Sequence, residues 1–274
     1  MSNLVSTQWL ADHLYTDDLV VLDATWHLPN LKRDAQAEFL AAHIPRAIFF
    51  DLDKTSDQNT TLPHMLPFAA DFAFAIQKLG ISTNTHVVAY DSYGLFSSAR
   101  CWWMFKVFGH EKVSILDGGL KKWLAEELAI ETGEPALPKH ALFGAKLNLA
   151  MVRNLSQVAS AAAQNADARS PARFRGEEPE PRPGVKPGHM PDALNVHYAS
   201  LLNADGTLKP KAELAKAFVN AGIDVEKPIV TSCGSGVTAA ILSLALTELG
   251  ARDHALYDGS WAQWGASDQP IISG

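Results

Sequence analysis

Cys233 stands in the run Thr231-Ser232-Cys233-Gly234-Ser235-Gly236-Val237-Thr238, among neighbours of the kind that make a cysteine reactive. Gly234 and Gly236 admit backbone angles that other residues resist, so the segment from Cys233 to Thr238 can curl with several N–H groups pointing inward. Such a ring binds an anion. The species best suited to its centre is the Cys233 thiolate, or a negative group carried on that sulfur. Lowering a thiol pKa from about 8.5 by two units takes about 2.7 kcal/mol of preference for the charged form, which a ring of amides and a helix N-terminus can supply. The chemistry this offers is nucleophilic attack by sulfur. Without those surroundings a cysteine would be a small apolar filler of a turn.

The flanking segments say how the loop is held. Pro228-Ile229-Val230 before it has the β-branched content of a buried strand, and VTAAILSLALTEL over 237–249 is apolar on most faces and free of Gly and Pro, which predicts a largely buried helix. Cys233 therefore sits where a strand turns into a helix. In the first half of the chain a helical pattern over 7–15 precedes the strand 19–23. His43-Ile44-Pro45 and Phe49-Phe50-Asp51 follow, then a helix near 68–79, a strand over 86–90, a helix over 98–108 and a strand over 112–116. Strands alternating with helices predict a mostly parallel sheet with helices on both faces.

The second half repeats this order. Asp167 stands 144 residues after Asp23, His189 146 after His43, and Asp258 and Trp264 141 after Asp117 and Trp123. So steady an offset implies a tandem duplication, two copies of one α/β domain, and not a short-period solenoid. The expected division is a first domain over 1–138, a linker over 139–149 broken by Gly133, Pro135 and Pro138 just ahead of it, and a second domain over 150–274. Superposing the copies puts Asp91 on Cys233. A carboxylate cannot carry sulfur, so the first domain is expected to be catalytically silent there and to close a cleft over Cys233. One strand is poorly marked: Ala163-Gln164-Asn165-Ala166, before Asp167, are weak strand formers beside 19–22.

Composition narrows the function classes. The 274 residues are 47% hydrophobic, enough for two cores, and no run approaches 18 apolar residues. The N-terminal residues lack the basic and apolar regions of a signal peptide, which predicts a cytoplasmic protein. A net charge of −7 offers no general attraction for nucleic acid or an anionic membrane. Two cysteines, Cys101 and Cys233, make no disulfide framework, and no Cys/His cluster has zinc spacing, so no metal and no cofactor are expected. Cys101, on a helix beside Trp102 and Trp103, is expected to be buried and inert.

Against the acidic whole, Arg169, Arg173, Arg175, Arg182 and Lys186 cluster around the stiff loop EEPEPRP. They pair either with Glu177, Glu178 and Glu180 in a solvated loop or with an anionic ligand, for which a guanidinium offers a fixed fork of donors. Arg169 is expected to pair internally at its strand end. His64, in Leu62-Pro63-His64-Met65-Leu66-Pro67, either takes part in proton transfer or bonds a backbone carbonyl. His43 and His189 occur in both copies and are read as structural, and the tryptophans as core.

The Cys-Gly-Ser-Gly-Val-Thr loop in the second of two duplicated α/β domains resembles the two-domain rhodanese family, in particular its 3-mercaptopyruvate sulfurtransferase branch. HIPRAIFFDLD, LPHMLP and WWMFKVFGHEKVSILDGGL in the first half carry the resemblance, with ARFRGEEPEPRPGVKPGH and LYDGSWAQW in the second. It implies tandem rhodanese-like domains with Cys233 as nucleophile and sulfur carrier, taking sulfur from 3-mercaptopyruvate and passing it to a thiol such as thioredoxin, or to cyanide. It implies that Arg173 and Arg182 hold the substrate's carboxylate and keto oxygen, and that Gly234, Gly236, Val237 and Thr238 line the receiving loop. Ser235, His64 and Asp53 match the family's proton relay. Thr238 either bonds the sulfur or caps the helix.

The alternative donor is thiosulfate. Sulfurtransferases that use it typically carry two basic residues directly after the cysteine, where Gly234 and Ser235 stand here. One charge pair at about 4 Å and an effective dielectric of 20 is of order 4 kcal/mol, so the neutral loop favours mercaptopyruvate, a monoanion held further away. Cysteine phosphatases use a similar loop but need arginine as its seventh residue, which here is Ala239.

Overall fold

The strand Leu19–Asp23 is buried along its length apart from Val20, and a strand covered on both faces must lie inside a sheet flanked by helices. The computed structural model, which describes residues 2–136, 139–160 and 162–274, places it there. Five parallel strands form the first sheet: β1 (Leu4–Val5), β2 (Leu19–Asp23), β3 (Ile48–Phe49), β4 (His86–Tyr90) and β5 (Val113–Leu116), in the order β1-β5-β4-β2-β3. Helices α1 (Thr7–His13), α2 (Ala35–Ala41), α3 (Leu52–Thr55), α4 (Ala69–Lys78), α5 (Ser97–Val107) and α6 (Gly119–Ala125) connect and cover them. The second sheet has strands β6 (Val152–Arg153), β7 (Gln164–Asp167), β8 (Ala193–Asn195), β9 (Ile229–Ser232) and β10 (His254–Tyr257), in the order β6-β10-β9-β7-β8. Its helices are α7 (Leu155–Ser160), α8 (Pro171–Arg175), α9 (Lys211–Asn220), α10 (Ala239–Leu249) and α11 (Ser260–Trp264). The two orders are the same once the strands are renumbered, so both sheets are the α/β architecture expected of a duplication.

The elements keep their expected places with shifts of a residue or two at the ends, where capping and not periodicity decides. The shift that bears on the Cys233 loop is at α10, which starts at Ala239 and not at Val237, because Gly236 sits at φ 79° and Val237-Thr238 form a turn. The weakly marked strand is real: β7 pairs with β8 on one side and β9 on the other. Two partners supply the ladder bonds that the intrinsic preference of Gln164, Asn165 and Ala166 does not favour. Of the proposed join, Leu137 and Pro138 lie outside the described residues.

The chain forms two compact units that do not follow its order throughout. The first comprises Met1–Gln58, Pro67–Leu147 and Ala204–Leu208, and the second Asn59–Leu66, Asn148–Asn203 and Lys209–Gly274. Each unit thus includes one short strap from the other half of the sequence. In the first, the Leu208 N–H donates to Asp117 (2.8 Å), and Gly94 and Gly206 meet so closely that a Cβ on Gly94 would lie 2.7 Å from the Gly206 Cα. In the second, the Leu66 N–H donates to Asp258, the counterpart of Asp117, at 2.8 Å.

A buried acid ends the central strand of each copy, and the copies satisfy it differently. In both, the N–H two residues on donates to the acid at 2.9 Å, but Arg169 adds its guanidinium to Asp167, whereas Thr25 has none to offer Asp23. Burial pushes the Asp23 carboxyl up to about 6 from an ordinary 3.8, hydrogen bonds from Thr25 and Tyr90 offsetting only part of that. A carboxyl whose folded pKa is raised contributes stability that is full below its unfolded pKa and is lost as pH rises through the folded one. Asp23 is therefore expected to cost about 2 kcal/mol between pH 4 and 7. Urea unfolding of Asp23→Asn against the parent across that range should show the parent losing ground relative to the variant as pH rises.

Candidate active site

Strand β9 is buried throughout and delivers the chain to Cys233, and α10 carries it away, buried from Ala239 to Leu246. Between them the loop turns through Gly236 in the left-handed region. The N–H groups of Ser235, Gly236, Val237, Thr238 and Ala239 donate to no acceptor among the described residues. Five successive amides at the start of an eleven-residue helix make a concentrated donor site for an anion. Thr238 makes no side-chain capping bond, which removes capping as its task.

Helix α11 clamps the loop from behind. The Trp261 N–H donates to the Cys233 carbonyl and the Ala262 N–H to the Gly234 carbonyl, each at 2.9 Å. The Cys233 N–H donates to Ser260 Oγ at 3.2 Å, and the Ser260 hydroxyl donates to the Tyr257 carbonyl at 2.9 Å. Ser260 itself sits at φ 46°. Its counterpart in the first copy is Gly119, at φ 53°, where a Cβ would meet the Asp91 carbonyl at 2.4 Å. Cys233 is 2% exposed, so only a ligand that enters the site can reach it.

The first unit shows what such a loop does with an anion of its own. The Asp91 carboxylate, wholly buried, accepts N–H bonds from Tyr93 (2.9 Å), Gly94 (3.2 Å), Phe96 (2.7 Å) and Ser98 (2.9 Å), and the Ser98 hydroxyl at 2.6 Å. The cradle is intact there and permanently filled. Cys101, on the same copy's α5, is fully buried and its thiol is pushed far up by desolvation, so it stays protonated.

Beside the Cys233 loop the arginines divide by partner. Arg169, 2% exposed, holds both Asp167 oxygens, donates to Glu180 (2.8 Å) and to the Gly188 carbonyl (2.8 Å), and lies 4.3 Å over the Trp261 ring. Arg173 donates to the other oxygen of Glu180 (2.5 Å), and its guanidinium comes within 3.0 Å of where a Cβ on Gly234 would stand. Arg182 is half-buried in the same segment. Arg175 pairs with Glu177 at the surface, as the solvated-loop reading has it, and Lys186 reaches the Ser267 carbonyl outside that loop.

His64 belongs to the second unit through its strap. Its Nδ1 and Ser235 Oγ are 3.0 Å apart, both side chains buried, and its backbone takes φ 59°. The structure thus brings together Cys233, Ser235, His64 and Arg173. Asp53 lies in the first unit at the start of α3, where its carboxylate accepts the Trp26 indole N–H at 3.1 Å. His43 and His189 bond the carbonyls of Phe39 and Phe174, in keeping with a structural role. Three residues escape the sequence reading. Glu180 gives no sign of burial within a charged loop. Ser260 and Asp258 are marked only by the repeat of Tyr-Asp-Gly-Ser against Leu-Asp-Gly-Gly.

A buried cysteine beside unclaimed amides stands at the strand-to-helix turn of one of two parallel α/β units that share a strand order. The model of the rhodanese-like domain matches residues 6–126 and again 154–267, and the chain belongs to that family. The chain is 43% identical to the human 3-mercaptopyruvate sulfurtransferase over 95% of its length and 91% of that protein. It is equally identical to the mitochondrial thiosulfate/3-mercaptopyruvate sulfurtransferase 1 of Arabidopsis thaliana, over 98% of this chain and 78% of that one. The crystal structure of SseA from Escherichia coli, described as a 3-mercaptopyruvate sulfotransferase, superposes with a TM-score of 0.87 at 41% identity, covering 95% of this chain and 99% of that one. Among the described residues no helix is long and apolar enough to cross a membrane.

Proposed function

We propose that this protein transfers sulfur from 3-mercaptopyruvate, through a persulfide on Cys233, to an acceptor thiol or cyanide, with release of pyruvate. The observation that carries the donor is Arg173. Its guanidinium lies against Gly234, the position after the nucleophile, while the two residues following Cys233 carry no charge. A planar keto acid suits a guanidinium fork set back from the sulfur, whereas a small dianion wants cations on the loop itself.

In the first half-reaction the Cys233 thiolate attacks the substrate sulfur. The new S–S bond forms as the C–S bond breaks, and its electron pair leaves on pyruvate as an enolate. The proton of the substrate thiol passes through Ser235 and His64 to the enolate carbon, leaving a persulfide anion on Cys233 and free pyruvate. The unclaimed amides from Ser235 to Ala239 would then hold that anion, as the counterpart loop holds the Asp91 carboxylate. Arg182 is assigned with Arg173 to the carboxylate and keto oxygen, and Asp53, on the family resemblance, to the relay. The acceptor's thiolate attacks the outer sulfur and restores Cys233. A dithiol such as that of thioredoxin would serve, and the setting is a cytoplasmic one.

The test is pyruvate release from 3-mercaptopyruvate beside thiocyanate formation from thiosulfate and cyanide. A kcat/KM at least about tenfold higher for mercaptopyruvate is expected, and comparable thiosulfate turnover would overturn the donor assignment. Ser235→Ala should lower kcat with mercaptopyruvate by about 100-fold or more. With thiosulfate its effect should be smaller, because departing sulfite needs no proton. An equal loss with both donors would remove Ser235 from the relay.

A further inference from the structure

Glu180 takes no part in the bond-making steps of the reaction, although it holds Arg173 in place. Its side chain is only 3% exposed and lies between Arg169 and Arg173. One oxygen accepts from Arg169 at 2.8 Å, the other from Arg173 Nη2 at 2.5 Å, with Arg173 Nε at 3.4 Å. Arg169 needs no such partner for its own fit, since Asp167 already binds it through both oxygens and the Gly188 carbonyl takes a further N–H. The four groups Asp167, Arg169, Glu180 and Arg173 together carry no net charge, although Arg173 is the one that reaches the residue after the nucleophile. Arg173 therefore meets a ligand with its charge cancelled and two of its three nitrogens engaged, a donor of hydrogen bonds more than a source of field.

We propose that Glu180 is a specificity-determining residue that matches the site to a singly charged donor and against a doubly charged one. A negative charge within a few ångströms of the bound anion opposes a dianion twice as strongly as a monoanion, and burial leaves that opposition little screened. The carboxylate thus works as a filter built from repulsion, at the expense of some attraction for every anion. This rests on the donor reading above, so its test includes a measurement that needs no turnover.

Glu180→Gln keeps shape and one acceptor oxygen while removing the charge. The ratio of kcat/KM for thiosulfate to that for 3-mercaptopyruvate is expected to rise at least about tenfold in the variant. A ratio that stays within twofold, or falls, overturns the proposal, because a purely structural Glu180 would lower both activities together. The second measurement is protection of Cys233 from iodoacetamide by pyruvate, a monoanion, and by malonate, a dianion of similar size. The unmodified protein should be protected at lower concentrations of pyruvate than of malonate, and the variant should narrow or reverse that order by about tenfold. Malonate protecting the unmodified protein as well as pyruvate does, or neither anion protecting it, overturns the proposal even if the variant fails to fold. Expected protection in a protein that does not turn over mercaptopyruvate would sink the donor reading and leave the charge filter standing.

Discussion

Cys233→Ser is expected to abolish sulfur transfer from either donor, with kcat falling by at least about 10⁴-fold, the scale on which loss of a covalent nucleophile acts. The fold should not change, since the Cys233 backbone and not its sulfur carries the bonds to Ser260 and Trp261. A serine alkoxide cannot form at neutral pH in a ring of amides that only moderately favours an anion, and an oxygen in its place has no S–S bond to make. Mass spectrometry of the parent incubated with 3-mercaptopyruvate and no acceptor should show the gain of one sulfur atom on the peptide containing Cys233, absent in the variant. Turnover surviving in Cys233→Ser, or sulfur appearing on Cys101, would sink the mechanism. Cys101 is a poor candidate because burial raises its pKa and keeps the thiol neutral.

Asp91→Ala is expected to be among the most destabilising single changes in the chain. It strips a wholly buried cradle of its anion and leaves four amides and the Ser98 hydroxyl without their acceptor. Unsatisfied buried donors cost about 1–3 kcal/mol each, and with water entering the vacated space to satisfy part of them a loss of about 3–5 kcal/mol is expected. For a unit of this size that is a fall of about 10 °C or more in Tm. Asp91→Asn should lose less, retaining one acceptor oxygen while its NH2 faces donors. Calorimetry or denaturant unfolding of both variants checks the ranking, and a loss under 1 kcal/mol for Asp91→Ala would mean the loop amides find other partners. The same argument explains how the copies diverged. A loop whose amides suit an anion can be filled by a fixed aspartate, as at Asp91, or by an anion that comes and goes on a cysteine.

The reach of sequence reasoning varies from place to place for identifiable reasons. β2 and β4 declare themselves through β-branched residues. β7 does not, because Gln164, Asn165 and Ala166 are held by neighbours on both sides and not by preference. The start of α10 is misplaced by two residues because apolar periodicity runs on through Val237 and Thr238 while the φ of Gly236 holds the backbone in the loop. EEPEPRP reads as one charged loop, yet Glu177 lies at the surface with Arg175, and Glu180 is enclosed between Arg169 and Arg173. Charge is written in the sequence, but burial is not.

By itself the sequence determines the chemistry available and the number of times the fold is built. Cys233 between two glycines at a strand-to-helix junction, an aspartate at the matching place, and landmarks repeating at 141 to 146 residues are all local or periodic features. Tertiary structure alone decides which distant residues become partners. His64 and Ser235, 171 positions apart, meet because the strap Asn59–Leu66 is pinned by Asp258 into the second unit. Arg173 reaches Gly234 because a buried Glu180 and the anchored Arg169 hold the intervening loop. Such contacts depend on chain closure over long separations and on which polar groups lose water when the core forms, and no local pattern of residue types encodes either.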